Sequence, residues 1–537
     1  MASVPAARAA VVAGVDPPSQ TFVLPDGRTA LFHGLNAVYK LAPFVPCWDC
    51  AFDPRLSLNA ADIRTMRALG VTVVRLGVMV EAVLPDALGG AVNTTYLSEM
   101  VKLSERLGQA GIFTLVDAHQ DLLSRSFCGE GFPSRLVTPP NVSAAERFPA
   151  PLPVTIHTDP STGFPNVTEC EAVPFALFNA AAEVNAAWGL VYNNATVRRA
   201  VATHWSAVAA AFRASAVAPG SPLRLLGYEL LNEPIPYPIT LATEPGASDR
   251  TNLAPLYSQL NDALRASDPD GIVFFEPAVT NMLLGQVPGF TSGPGGPGAD
   301  ARQAMALHIY CNALNHTGDV VNVTACDHTV TTQFDLAARS FAGVTGGRML
   351  TEFGAVGGTA GDAHVITALL DRCDDASLSW AYWNFKPFHD VTTVNAASEG
   401  LFDDDGAVQS RKAAALARSY PHLLPAAAGA PSSFRFDASS PFRELIVDYT
   451  VGSATPHPAE PSYRAELFGS AEHHYKGGAN VTVDPHGAGT VTMETGPDGS
   501  WTGWVWVDHE ASAAGLAVRV TMRAVVPQGD APPAELR

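Results

Sequence analysis

The chain has 537 residues, 47% hydrophobic and 16% charged, a balance that suits a globular protein with a large core and more than one domain. Its 52 acidic against 33 basic residues leave a net charge of −19, which argues against a nucleic-acid partner and against a strongly anionic surface. Seven scattered cysteines hold no zinc set, because Cys47-Trp-Asp-Cys50 lacks a second pair or a histidine at ligand spacing, and no apolar run is long enough to cross a membrane.

The first twenty residues carry a short Ala/Val run but no full signal-peptide core. The stretch TFVLPDGRTALFHG reads as a hairpin turning at Asp26-Gly27 and leading into a first strand, ALFHGLN. A helix follows over NAADIRTMRALG, with an Asn59 cap and a Gly70 stop. Strand VTVVRLGV, helix TTYLSEMVKLSERLGQAG and strand IFTLVDAH complete three strand–helix units by residue 119. Residues 120–175 are Pro-rich, without periodicity, and read as an insertion after the third strand. Beyond it come a helical stretch around 175–215, a strand ending in LNEP, helix 252–267, strands GIVFFEP and QAMALHIY, helix 328–345, strand RMLTEF, helix 361–375, strand LSWAYWNF and helix 408–419. Eight strands alternating with helices, without a Gly-rich nucleotide turn, predict an α/β fold: a (β/α)8 TIM barrel with loop insertions over residues 1–424, including the hairpin. A Pro/Ala linker in PHLLPAAAGAPSS then leads to seven short strand-like runs, which predict a C-terminal β-sandwich over 431–537.

Two of the predicted barrel strands end in glutamate. Pro234 cannot continue a central strand, so the strand before it stops where Asn232 and Glu233 are presented. The same form recurs 119 residues later, where RMLTEFGA ends in Glu352 and is closed by glycine. The C-terminal ends of barrel strands are where this fold carries its chemistry. A carboxyl pair there suits retaining glycoside hydrolysis, in which one group protonates the leaving oxygen and the other attacks the anomeric carbon, roughly 5 Å apart.

Read strand by strand, the chain resembles glycoside hydrolase family 5. The family's strand-end positions are filled in order by Arg75 in VVRLG, His119 in VDAHQD, Asn232 and Glu233 in LNEP, His308 and Tyr310 in LHIY, Glu352 in TEFG and Trp383 in YWNF. The segments FHGLNAVYK, DAHQDLLS followed by GEGFP, and WNFKPF, with the trailing sandwich, resemble the endoglycoceramidase branch. The resemblance implies Glu233 as acid/base, Glu352 as nucleophile and no cofactor. It further implies a glycolipid substrate, cut between oligosaccharide and ceramide, and peripheral contact with a membrane or micelle. We read Asn232 as a partner of the sugar 2-hydroxyl, Trp383 as a sugar platform, and His119 and His308 as supporting or sugar-binding groups. Lys40 and Asp121 are candidate glycan contacts. Phe44, Trp48, Phe52, Phe127, Phe132, Phe385 and Phe388 are candidates for an acyl-chain cluster at the barrel mouth. A family 5 β-glucosidase acting on steryl or simple lipid glucosides, a β-glucanase, and a non-enzymatic carbohydrate binder are the alternatives. The last of these would be expected to lack one glutamate.

Seven Asn-X-Ser/Thr sequons, at Asn93, Asn141, Asn166, Asn194, Asn315, Asn322 and Asn480, point to a glycosylated, secreted or secretory-lumen protein with disulfides. Cys311 with Cys326 and Cys128 with Cys170 are expected loop staples, with Cys373 left as a free buried thiol. A monomer is expected.

Overall fold

The computed structural model describes residues 12, 14–86, 91–139, 148–386, 390–393, 396–427, 432–452 and 461–525. A hairpin opens the chain, with β1 (Gly14–Asp16), β2 (Thr21–Val23) and β3 (Thr29–Ala30). Eight parallel strands then close into a barrel: β4 (His33–Ala37), β5 (Val73–Gly77), β6 (Phe113–Asp117), β7 (Leu225–Glu229), β8 (Val273–Phe275), β9 (Gln303–Ile309), β10 (Gly347–Phe353) and β11 (Ser379–Tyr382). Nearly every residue of these strands is buried, as expected for a parallel sheet covered on its outer face by helices. Between β4 and β5, helix Ala60–Ala68 begins in a capping box formed by Asn59 and Asp62, and Gly70 follows its end at φ +77°.

Period-2 alternation along the strands stacks the barrel interior in layers. Val73, Phe113, Leu115 and Met349 belong to an apolar layer that the hairpin closes from below with Val15 and Phe22. Two residues further along the same strands stand Arg75, Asp117 and Thr351, so a polar layer rests directly on the apolar one.

After the barrel come β12 (Tyr420–Leu424), β13 (Ser433–Asp437), β14 (Glu444–Thr450), β15 (Arg464–Phe468), β16 (Ala479–Asp484), β17 (Thr490–Thr495), β18 (Trp501–Asp508) and β19 (Ala517–Ala524). All seven strand-like runs beyond residue 431 are strands. They form two antiparallel sheets, one ordered β13-β14-β19-β16 and the other β1-β2-β3-β12-β15-β18-β17. The second sheet therefore joins the opening hairpin to the late strands through β12. The sequence had hidden β12 at the head of the predicted linker, because Pro421 argues against a strand. The register slips between Pro421 and Leu423, and a bulge is where a strand tolerates proline.

One face of the seven-stranded sheet packs on the N-terminal end of the barrel. The Tyr420 hydroxyl donates to the Gly70 carbonyl at 2.8 Å, the Arg67 guanidinium lies 4.4 Å from the Trp504 ring centroid, and the Phe468 ring covers Gly70. A Cβ on Gly70 would stand 2.3 Å from that ring, so glycine is required here for contact as well as for its positive φ. Trp504 and Trp506 share this face, while Trp501 packs against Tyr475. The sandwich thus sits at the end of the barrel opposite Glu233 and Glu352.

Cys128–Cys170 and Cys311–Cys326 are bridged, Cys373 is free and buried, and Cys47–Cys50 forms a third disulfide. Among the sequon asparagines, Asn93, Asn166, Asn194 and Asn322 are helix N-caps, Asn315 forms an Asx turn and Asn480 lies in β16, none of them buried. Asn–X–Thr is also a good helix start, so part of the sequon excess has a structural source. Asn141 and Phe388 lie outside the described residues.

Phe468→Ala is expected to cost roughly 3–5 kcal/mol, because it opens a cavity at a fully buried joint. Thermal unfolding should show a clearly lower midpoint, with activity at 25 °C little changed. An unchanged midpoint would show that the sheet and barrel do not depend on this contact.

Candidate active site

The eight residues aligned from the sequence converge at the C-terminal mouth of the barrel around Arg75, which is fully buried. Arg75 Nε donates to Glu229 Oε2 (2.6 Å), Nη1 to Glu352 Oε1 (2.5 Å) and Asn36 Oδ1 (3.0 Å), and Nη2 to Asn232 Oδ1 (2.8 Å). Asp117 and Glu276 lie 3.1 and 3.5 Å from Nη2. Two backbone devices aim the glutamates. The register of β10 slips between Leu350 and Glu352, and such a slip redirects the side chain that follows it. Glu233 sits at φ +40° before Pro234, a strained conformation held by Gln120 Nε2, which donates to the carbonyls of Asn232 (2.8 Å) and Glu233 (3.3 Å).

His308 Nδ1 lies 2.8 Å from Glu233 Oε1 and 3.4 Å from Glu352 Oε2, and the ligand atoms of these three residues all lie within 4.8 Å of one another. The Tyr310 hydroxyl donates to Glu352 Oε2 at 2.6 Å. The His119 ring is stacked on Trp383 at 5.1 Å, and its Nδ1 lies 2.8 Å from Asp117. Burial disfavours the charged His119 ring, but Asp117 more than reverses this and lifts it up to about 9. Each of these features lies at a strand end of one closed barrel. The profile of the family described as Cellulase (glycosyl hydrolase family 5) matches residues 39–389, which span β5 to β11 and hold all of these groups except Asn36.

The chain belongs to glycosyl hydrolase family 5. Along nearly its whole length the family 5 chain is also similar to an endoglycoceramidase of the jellyfish Cyanea nozakii, 28% identical over 482 residues covering 89% of this chain and 88% of that one. Two solved structures of endo-glycoceramidase II from Rhodococcus sp. share the fold. The lactosyl-enzyme intermediate is 18% identical with a TM-score of 0.67, and the ganglioside GM3 complex 17% identical with a TM-score of 0.68. Each alignment covers 93% of this chain and 98% of that one.

The two glutamates of the family 5 site have unequal surroundings. Glu352 receives a guanidinium and a phenol, both of which favour its ionised form. Among the described residues the Glu233 carboxylate receives only His308. Burial pushes Glu233 up to about 7, with the Asp121 carboxylate adding to the rise and His119, Arg75 and Lys40 opposing it; burial also raises Glu352, against the pull of His308 and Arg75. Arg75 already brings positive charge to the centre of the carboxylates, the service a metal ion would otherwise perform, and we assign no metal here.

Lys40 and Asp121 form a closed network. Lys40 Nζ reaches Asp121 (2.6 Å), Thr392 (2.9 Å), Asp390 (3.3 Å) and Thr393 (3.3 Å), enough to occupy its three N–H donors. Glu130 of the GEGFP segment accepts from the Val391 N–H and the Thr392 hydroxyl, each at 3.0 Å. The loop after β11 is thereby fastened to the loop after β6. Lys386 of WNFKPF turns away to Asp62, 2.8 Å distant, in the Asn59 capping box.

The expected acyl cluster is not assembled as predicted. Phe127, Phe132 and Phe385 are buried in the cores of their own loops, and Phe44 packs at the edge of the barrel core. Trp48 lies under Arg106, and Phe52 packs on Phe402. Sequence reading also missed Asp117, Glu229, Glu276 and Glu399. Glu229 stands inside the quoted YELLNEP, and Glu276-Pro277 repeats the Glu-Pro strand end, so both carried a readable signal. Glu399, which accepts the Trp383 indole N–H at 3.0 Å, carried none, because it reaches the site from a short helix, Ala396–Glu399, in the segment after β11.

Lys40→Met leaves Asp121, Asp390 and Glu130 without their cation, at a cost on the order of 3–5 kcal/mol. Lys40 holds the Asp121 carboxyl well below its ordinary range, so the stability this pairing contributes is present above the unfolded-state pKa and lost as pH falls. The loss in unfolding midpoint caused by the variant should therefore be the same at pH 8 and pH 5 and shrink as pH falls below the ordinary carboxyl range, about 4. A loss that stays constant down through that range would count against an electrostatic role.

Proposed function

We propose that this chain is a retaining endo-glycosidase that cleaves the β-linkage between the oligosaccharide and the ceramide of glycosphingolipids. The observation that carries the reading is the Glu233–Glu352 pair, with oxygens within 4.8 Å and unequal surroundings, because a retaining displacement needs its two carboxyl groups this close. The substrate class is supported by the endoglycoceramidase relatives and by the ganglioside and lactosyl-enzyme structures of the Rhodococcus protein.

Glu352, ionised by Arg75 and Tyr310, attacks the anomeric carbon while Glu233 gives its proton to the departing ceramide oxygen. Once Glu352 is an ester its negative charge is gone, Glu233 loses proton affinity, and it can take a proton from the attacking water. Asn232 Nδ2 donates one N–H to the Gln120 carbonyl at 3.1 Å and offers its second to the sugar 2-hydroxyl, and Trp383, oriented by Glu399 and stacked on His119, is the sugar platform. Lys40 holds Asp121 in position for the glycan. Exposed Leu41, Phe52 and Leu56 beyond β4, Leu283, Leu284 and Val287 beyond β8, and Val321 beyond β9 give the mouth an apolar rim suited to a membrane or micelle. Three disulfides and exposed sequon asparagines support residence in an oxidising secretory compartment.

Incubation with a glycosphingolipid panel is expected to release intact oligosaccharide and ceramide, and a fluoro-sugar reagent to label Glu352. Glu352→Gln should abolish turnover. Stepwise release of monosaccharide, or label on another residue, would overturn the assignment.

Glu233→Ala should lose orders of magnitude on glycolipid, yet far less on an activated aryl glycoside, and azide should restore rate through a β-azide product. In the wild type, kcat/KM for a poor leaving group should fall as pH rises through about 7, where Glu233 gives up its proton. Equal losses on both substrates without rescue would remove Glu233 from the acid/base role.

A further inference from the structure

A buried lysine stands behind the sugar platform. The Trp383 ring is contacted by His119, stacked at 5.1 Å, and by Lys40 Nζ, 5.0 Å from its centroid. Such contacts set the plane of an indole but leave it room to slide and turn within that plane. What fixes it is the indole N–H, donated to Glu399 Oε2 at 3.0 Å. The aim of the platform is therefore set by where Glu399 stands. Glu399 ends a four-residue helix, Ala396–Glu399, which is too short to hold itself.

Three successive carbonyls hold that helix end in place. The Glu399 carbonyl accepts from the Tyr382 hydroxyl at 2.9 Å and from the Asn384 N–H at 3.2 Å, so the two chain neighbours of Trp383 fix the peptide plane after Glu399. The Ser398 and Gly400 carbonyls, one on each side, both accept from Lys412 Nζ, the second of them at 2.7 Å. Lys412 is fully buried on helix Ser410–Leu416, and its Nζ lies 5.7 Å from the Tyr382 ring centroid. A buried ammonium ordinarily meets a carboxylate, yet among the described residues the hydrogen-bond partners of Lys412 are these two main-chain carbonyls. Lys412 fixes the peptide plane before Glu399, where Tyr382 and Asn384 fix the plane after it. With both planes held, the Cα–Cβ bond of Glu399 has one direction.

We propose that Lys412 is a positioning residue for sugar binding: it holds the backbone on both sides of Glu399 and, through the Glu399 carboxylate, fixes the in-plane orientation of Trp383. The inference rests on the function proposed above and assigns this lysine to recognition of the sugar, not to breakage of the bond. Among the described residues Lys412 makes no hydrogen bond to Glu233 or Glu352, so its loss should appear in binding and spare the chemical step. A tie that only joined the helix to the preceding segment would lower the unfolding midpoint and leave KM alone.

The test uses the full chain with 15N-labelled tryptophan, and its first arm needs no substrate. The Trp383 indole signal, identified by its absence in Trp383→Phe, should lie downfield and exchange slowly in the wild type, as suits an N–H donated to a carboxylate. In Lys412→Met it should move upfield and exchange about tenfold faster, while the signals of Trp48, Trp188 and Trp205 stay in place. KM for an activated aryl glycoside should rise about tenfold, with kcat within about threefold of the wild type. Adding Lys412→Met to Glu399→Ala should raise KM by less than about twofold more, because the relay is already cut. A lowered unfolding midpoint with an unmoved indole signal and unchanged KM, a loss confined to kcat, or independent effects of the two variants would overturn the proposal. Should Lys412→Met not fold, Lys412→Arg keeps the charge but sets its outer donors one bond further out. It should displace the same carbonyls and move the signal and KM in the same direction, and an unmoved signal there would equally overturn the proposal. Should the wild type hydrolyse no glycoside, the proposed function fails, while the indole signal still decides whether Lys412 positions Trp383.

Discussion

Everything at the mouth of this barrel is placed by one buried guanidinium. Taking Arg75 out of water is costly, and the cost is offset only if the charge meets partners of good geometry. Four side chains from three strand ends supply them: Asn36, Glu229, Asn232 and Glu352. Because the guanidinium is planar and its donors point in fixed directions, these four acceptors are held in one arrangement. Glu352 is held directly and Glu233 through its neighbour Asn232. A lysine could satisfy the charge without imposing the angles.

The same centre explains why two glutamates on similar strand ends behave differently. Glu352 lies within reach of the guanidinium and a phenol, whereas the Glu233 carboxylate lies against the His308 ring. Burial raises the proton affinity of both, and Arg75 opposes that rise in each. The different roles proposed for them rest on this difference in neighbours. They do not require any difference between the glutamates themselves.

How much of this could be read in advance depended on whether the signal was local. Strand ends punctuated by proline or glycine exposed Glu233 and Glu352, and period-2 and period-3.6 patterns exposed the eight barrel strands and their helices. The capping box at Asn59 was readable for the same reason. Glu399 and the Asp390–Thr393 segment were not, since they enter the site from the stretch after β11, whose path depends on Lys40 and Glu130, far away in sequence. The aromatic loop residues misled because an insertion needs its own core: Phe127, Phe132 and Phe385 are spent on that packing. Strand β12 was missed because Pro421 signals a break, while pairing with a distant strand overrides it through a bulge.

The seven-stranded sheet has a consequence for how the chain is made. Thr29 of the opening hairpin donates through its hydroxyl to the Leu424 carbonyl, 395 residues further on, and the strands that finish the sheet come later still. A ribosome delivers the barrel's floor first and the strand that secures it last. Until β12, β15 and β18 emerge, the hairpin edge and the apolar surface around Gly70 have no cover, and contacts of such long sequence separation form slowly. The emerging polypeptide must therefore carry an exposed strand edge through most of its synthesis.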